Sequence, residues 1–370
     1  MIPAVRTRRI HAGAWWLWAM ALGTTATRTT NPALLLLIAA VAGYVTLACR
    51  TAAPWARSYG TFLRLAFVVI LIRVAFHALL GGVTGPTVLF SLPEMPLPDW
   101  AAGIRLGGPV SAEGLLYATY DGLRLGVLLI CVGAANSLAD PRRLLQSLPG
   151  ALYEVSVAVV VALTTAPQLV VSAQRIRRAR QLRGHTVSGI RRFTSLIVPV
   201  IEDAVDRSLA MASTMDSRGY GRVGTQSAWL RMVTGVCVIG GLSGLALGAY
   251  GALDTTAPDA LGLPAMLAGG VLGVIGLILG SRRVTRSRYR PDGWGSAETV
   301  IASSGIASLI GILLAERSNA AGLIPDFSPI AWPAVPSTAM VGIVLGLAPL
   351  LVARIPAPAT SVRTSREVLA

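Results

Sequence analysis

The chain has 370 residues, of which 54% are hydrophobic and only 13% charged, with a formal net charge of +15. A soluble protein of this length carries about 25% charged residues, so the composition excludes an ordinary water-soluble domain and points to an all-α polytopic membrane protein. All of the positive charge is arginine, since lysine is absent, and the arginines cluster beside apolar runs. That placement speaks for a membrane surface and against nucleic acid as a partner.

At the N-terminus, Arg6, Arg8 and Arg9 precede the apolar stretch from Ala14 to Leu22, and small residues follow, the pattern of a secretion signal. An uncleaved first span is expected instead, because a second apolar run, Pro32 to Cys49, follows almost at once. Apolar runs then recur at about 60–80 and 112–135, and after a polar middle at about 228–251, 261–280, 297–315 and 337–354. With 13–27 and 31–49 they make about eight segments near the roughly 20 residues that cross a hydrocarbon core. The first is short and contains Trp15, Trp16 and Trp18, which suits an interfacial anchor or a tilted span. Between the third and fourth runs lies a Gly- and Pro-rich loop in which Thr87–Leu92 reads as a short strand. Asp121 and Arg124, one turn apart in the fourth run, are expected to neutralise each other or a neighbour. Cys49, Cys131 and Cys237 have no paired spacing and read as small packing residues. His11, His77 and His185 are isolated, so no metal site is expected.

Loop charge sets the orientation. Arg6, Arg8 and Arg9, then Arg50 and Arg57, Arg142 and Arg143, the cluster from Arg282 to Arg290, and Arg354, Arg363 and Arg366 all fall on one side if eight spans are counted. That side is the cytoplasm, so both termini are expected there, in an inner (plasma) membrane. The count works only if 141–222 makes no net crossing. The run Val155–Val171 is apolar enough to cross, but crossing would export Arg175, Arg177, Arg178, Arg180, Arg183, Arg191 and Arg192. Residues 150–183 therefore read as a long helix, kinked near Pro167, that lies along or dips into the inner face. A second helix covers about 189–218, with Asp203 and Arg207 spaced as a surface ion pair. The expected organisation is an N-terminal bundle over 1–140, a two-helix cytoplasmic module over 141–222, C-terminal spans over 223–354 and a disordered tail over 355–370.

Catalytic motifs are missing. Without lysine there is no Walker loop, and neither a Gly-x-Ser-x-Gly turn nor a His-Glu-x-x-His pair occurs. No catalytic residue and no cofactor of the chain's own is expected. What stands out is a pair of turns, Leu182-Arg183-Gly184 and Ser217-Arg218-Gly219, each closing one of the two long helices. Glycine permits the chain to turn after the last helical residue, and a cation is favoured at that end by the helix dipole. Arginine also suits rigid, bidentate recognition of carboxylates. A collar of arginines over 175–192 is explained by anionic lipid, but two Arg-Gly ends are not. Before the second turn, Ala210, Ala212, Ser213 and Ser217 form a small-residue surface that allows close helix packing.

With these residues the chain resembles the transmembrane T component of energy-coupling factor (ECF) transporters, the group that includes the CbiQ-type subunit of cobalt importers. In that family two coupling helices each end in Ala-Arg-Gly or Ala-Arg-Ser, and the arginines dock into grooves on two ATPase subunits. The resemblance places Arg183, Gly184, Arg218 and Gly219 at those positions, with Leu182 and Ser217 where the family has alanine. Ala139-Asp140-Pro141-Arg142-Arg143-Leu144-Leu145 and Ser208-Leu209-Ala210-Met211-Ala212 are similar to the flanking family segments. The likeness covers about residues 30–250, and the last spans extend beyond it. It implies a non-catalytic scaffold with two cytoplasmic ABC ATPases that bind ATP, a small membrane substrate-capture (S) subunit contacted through Ala210, Ala212 and Ser213, and import of a vitamin or metal ion. The competing readings are a stand-alone secondary transporter or membrane enzyme, which would need more carboxylates at depth, and a permease subunit of another ABC importer, which usually presents one coupling helix.

Overall fold

The computed structural model describes residues 10–50, 58–81, 85–95, 106–147, 152–182, 190–219, 228–253, 258–281, 293–327 and 330–353. In chain order the elements are α1 (Ala12–Thr27), α2 (Pro32–Cys49), α3 (Tyr59–Leu80), β1 (Val88–Met95), β2 (Leu106–Ser111), α4 (Ala112–Leu138) and α5 (Pro141–Gln146). They continue with α6 (Tyr153–Leu182), α7 (Ile190–Ser217), α8 (Ala228–Leu253), α9 (Leu263–Ser281), α10 (Ser296–Arg317), α11 (Ser337–Leu345) and α12 (Pro349–Val352). Side chains define several starts. His11 Nδ1 accepts from Gly13 N, Asn31 Oδ1 from Ala33 N with Pro32 in the first turn, and Ser111 Oγ from Gly114 N.

The protein is thus a helical, multi-pass membrane protein, but its span inventory differs from the eight expected. Among the described residues, seven helices are long and apolar enough to cross: α2, α3, α4, residues 155–179 of α6, α8, α9 and α10. The first run gives only 16 helical residues. The last is interrupted at 346–348 between α11 and α12. Conversely, α6 runs without a break through Pro167, so length and hydropathy qualify a segment that the arginine count keeps on one side.

The expected strand is present as β1, paired antiparallel with β2, which the sequence hides. Gly107 and Gly108 have φ of 89° and 108°, so β2 contains residues that read as a turn, and the ladder is broken by two register shifts. The ribbon is fixed to the start of α4. Ser111 Oγ also accepts from Gly85 N, and buried Glu113 accepts from the Thr87 hydroxyl at 2.6 Å.

Two compact units emerge, and they cut across the sequential division. Residues 1–144 and 292–370 form one; 145–291 form the other. The core of the first collects Trp18 and Leu22 of α1, Ile38 of α2, Cys131 of α4, Ile312 of α10 and Ile343 of α11. Two of the tryptophans of α1 are core residues: Trp15 and Trp18 are buried, and Trp18 Nε1 donates to the Gly346 carbonyl at 3.0 Å. Polar bonds reinforce this return of the C-terminal helices. Asn31 Nδ2 donates to the carbonyls of Gly322 and Ala334, Thr29 Oγ1 donates to that of Leu323, and the Thr25 and Ser308 hydroxyls lie 3.2 Å apart. Small residues permit the approach, since a Cβ on Gly311 would lie 2.8 Å from the Gly342 Cα.

In the second unit α8 and α9 pack backbone to backbone, and a Cβ on Gly244 would lie 2.8 Å from the Gly269 Cα. The same unit contains α6 and α7, joined through one carboxylate. Ser172 of α6 donates to Asp203 Oδ2 at 2.5 Å, and Arg207 donates to the same oxygen at 3.1 Å.

Candidate coupling site

The two long helices occur where the sequence puts them, α6 ending at Leu182 and α7 at Ser217. Of all the helices, α7 has the most one-sided distribution of apolar residues, the pattern of a helix that lies on a surface. Asp203 ties it to α6 and has the expected ion pair with Arg207. First the Ser172 hydroxyl and then the Arg207 guanidinium hold its carboxyl below the usual range, because both stabilise the charged form. Ser172 lies 31 residues from Asp203, and no spacing rule in the sequence connects them.

The end of α7 has the geometry of a terminated helix. Arg218 N donates to the Met215 carbonyl at 3.1 Å, and Gly219 N to that of Asp216 at 2.9 Å. Gly219 then takes φ of 75°, in the left-handed region that glycine enters without a Cβ penalty. The Arg218 side chain is exposed. Arg183 and Gly184 lie outside the described residues; the residue before them, Leu182, is 90% exposed at the end of α6.

Ala210, Ala212 and Ser213 are all exposed along the last turns of α7, with Leu209 beside them. The hydroxyls here turn inward on their own helix. Ser208, Ser213, Thr214 and Ser217 donate to carbonyls three residues back, at 2.8–2.9 Å. Each therefore presents a low, already satisfied surface, fit for close packing.

The first unit contains a further cluster. Asp121 of α4 takes Arg73 of α3 as its partner, Nε to Oδ2 at 2.8 Å, so the carboxylate is neutralised across helices and not by Arg124. Among the described residues no group bearing metal-ligand chemistry gathers three His, Cys, Asp or Glu side chains. Cys131 is buried in the core, while Cys49 and Cys237 are half-buried.

Residues 7–228, well over half of the chain, match the sequence model of the CbiQ family, described as cobalt transport protein. The match takes in every element from α1 through α7 and stops at the first residue of α8. No curated protein matches the chain.

Proposed function

The chain belongs to the CbiQ cobalt transport protein family, and we propose that it is the transmembrane coupling subunit of an ATP-driven ECF-type importer. Membership makes it a membrane component of cobalt or ECF-type transport. Beyond that, the observation that carries the proposal is the end of α7. An exposed arginine is followed by a left-handed glycine, on a one-sided helix inside the family match.

In this mechanism two cytoplasmic ABC ATPases bind ATP and close. Arg218, and Arg183 at the end of α6, dock on carboxylates of the ATPases and follow their motion. The link through Ser172, Asp203 and Arg207 lets α6 and α7 move as one body. The small surface of Ala210, Ala212 and Ser213 then slides against a membrane-embedded capture subunit, which tilts and releases a vitamin or metal ion. This is a rigid-body switch. The chain itself holds no cofactor in this scheme, and both termini lie on the cytoplasmic side.

The test is ATPase co-purification together with uptake in vesicles. Arg183→Ala and Arg218→Ala should each weaken the complex by about 2–5 kcal/mol, the usual result of leaving a buried partner charge unpaired. The double change should abolish ATP-driven uptake. Arg177→Ala and Arg191→Ala, in the lipid collar, should cost only about 1 kcal/mol each. If all four variants bind and transport alike, the two Arg-Gly turns are ordinary helix ends and the proposal fails.

A further inference from the structure

Arg124 lies at the middle of α4. Twelve residues separate it from Ala112 and fourteen from Leu138, so it is about 18 Å and about 21 Å from the two ends of the helix. A hydrocarbon core is about 30 Å thick, which puts this guanidinium near its midplane. The side chain is half-buried. Among the described residues it has neither an ion-pair nor a hydrogen-bond partner.

Its surroundings are polar on one side. Tyr117, Asp121 and Arg124 fall at i, i+4 and i+7 on a single face of α4. Arg73 and His77, at i and i+4 on α3, meet that face through the Arg73–Asp121 bond and the His77–Tyr117 ring contact at 6.3 Å. Gly122 makes the meeting close, since a Cβ there would lie 3.2 Å from the Ile70 Cα and 3.3 Å from the Arg73 Cβ. Phe327 closes one part of the stripe by packing on Tyr117 and Tyr120, each at 5.6 Å. The stripe carries two arginines against one carboxylate, and Arg73 and Asp121 remain 40% and 22% exposed.

The chain's own candidate spans have no carboxylate to spare. They contain four among the described residues: Glu113, Asp121, Glu298 and Glu316. Glu113 accepts from Thr87, Asp121 from Arg73 and Glu298 from Gly295 N, while Glu316 faces Arg28 at 3.9 Å. A charge at this depth is costly unless it meets a counter-charge or a wet cavity, and such residues mark functional surfaces. From the midplane an arginine is also too short to reach the headgroups.

We infer that the α3–α4 stripe is a docking surface for a membrane-embedded partner helix that places an Asp or Glu carboxylate on Arg124. The inference rests on the proposed function, in which such a partner, the capture subunit, exists. The surface is distinct from the α7 contact: it acts within the membrane, selects a partner by charge and holds it while α7 moves.

The absence of lysine supplies a sharp test. Arg124→Lys keeps the cation and introduces the only side-chain amine among these 370 residues. A membrane-permeant carbodiimide applied to native membranes should then form a zero-length isopeptide link from residue 124. Peptide mapping should place the other end on a span carboxylate of a second integral membrane protein. In parallel, Arg124→Gln should lower recovery of that protein with the tagged chain by about tenfold, while the ATPases stay bound.

A link to Asp121 alone, or no link to another protein, overturns the inference. So does an unchanged membrane partner in the Arg124→Gln variant. Anionic phospholipid retained by the wild type in native mass spectrometry and lost from Arg124→Gln would identify lipid as the occupant and also overturn it. These failures leave the coupling role intact as long as ATPases co-purify and respond to Arg218→Ala.

Discussion

Asp203 shows how one side chain can join two elements. It accepts from Ser172 on α6 and from Arg207 on its own helix, and Arg175 adds a weaker attraction. Its carboxyl is lowered from the ordinary 3.8. A carboxyl depressed by folding stabilises the fold above its ordinary value, and the gain disappears as pH falls through the depressed value. The α6–α7 link should therefore be intact at neutral pH and loosen only below about pH 4. Distances between spin labels on α6 and α7, measured at pH 7 and at pH 3, should show this loosening. Asp203→Asn should give the loose distribution at both, and a wild-type distance that ignores pH would show that the link contributes nothing. The Asp203–Arg207 half of the arrangement was readable from i, i+4 spacing. The Ser172 half was not, because it depends on how two helices align.

At the scale of elements, apolar runs located nearly every long helix to within a few residues, since length and hydropathy alone mark a segment that leaves water. What they could not give was contact. The α3–α4 pair is set by Gly122, Gly126 and Gly133, and a Cβ on Gly133 would lie 2.5 Å from the Phe62 Cβ. That contact is with the base of a side chain and cannot swing away. Gly133→Ala should cost about 1–3 kcal/mol through overpacking, read as a lower melting temperature in detergent. Gly60→Ala in α3, where nothing lies within 4 Å, should be neutral or mildly stabilising. Equal effects at the two positions would mean that helix propensity, not packing, decides. The strand β2 escaped the sequence for a related reason. Gly107, Gly108 and Pro109 are turn-forming residues, and they belong to a strand only through their pairing with β1.

For the whole molecule, orientation is the quantity that composition predicts most directly and that helix length leaves open. The arginine distribution keeps 141–222 on one side, whereas residues 155–179 could cross by length and hydropathy. Single cysteines in an otherwise cysteine-free chain decide between them. Ser188→Cys and Ser281→Cys should react with an impermeant reagent only from the cytoplasmic side, and Ser91→Cys only from outside. Labelling of Ser188→Cys from outside would mean that α6 crosses, and the coupling role of α6 and α7 would fall with it. The pairing of the first helices with the last was the least legible property. Nothing in α10 or α11 announces that these helices return to α1 and α2, because the informative groups are ordinary glycines, a tryptophan, two threonines, a serine and an asparagine.

That return has a consequence for synthesis. The bond from Trp18 to Gly346 spans 328 residues, and the bonds of Asn31 span 291 and 303. Chains grow at about 5–20 residues per second, so α1 and α2 wait roughly 15–65 s after emerging before their partners exist. During that interval the Trp18 and Asn31 donors lack their final acceptors, and Trp18 waits within α1, where a membrane offers no water in exchange. Helices α1 and α2 are thus made early and finished late. A premature stop anywhere before residue 296 would leave them permanently in the waiting state, open to mispairing and to quality-control proteases.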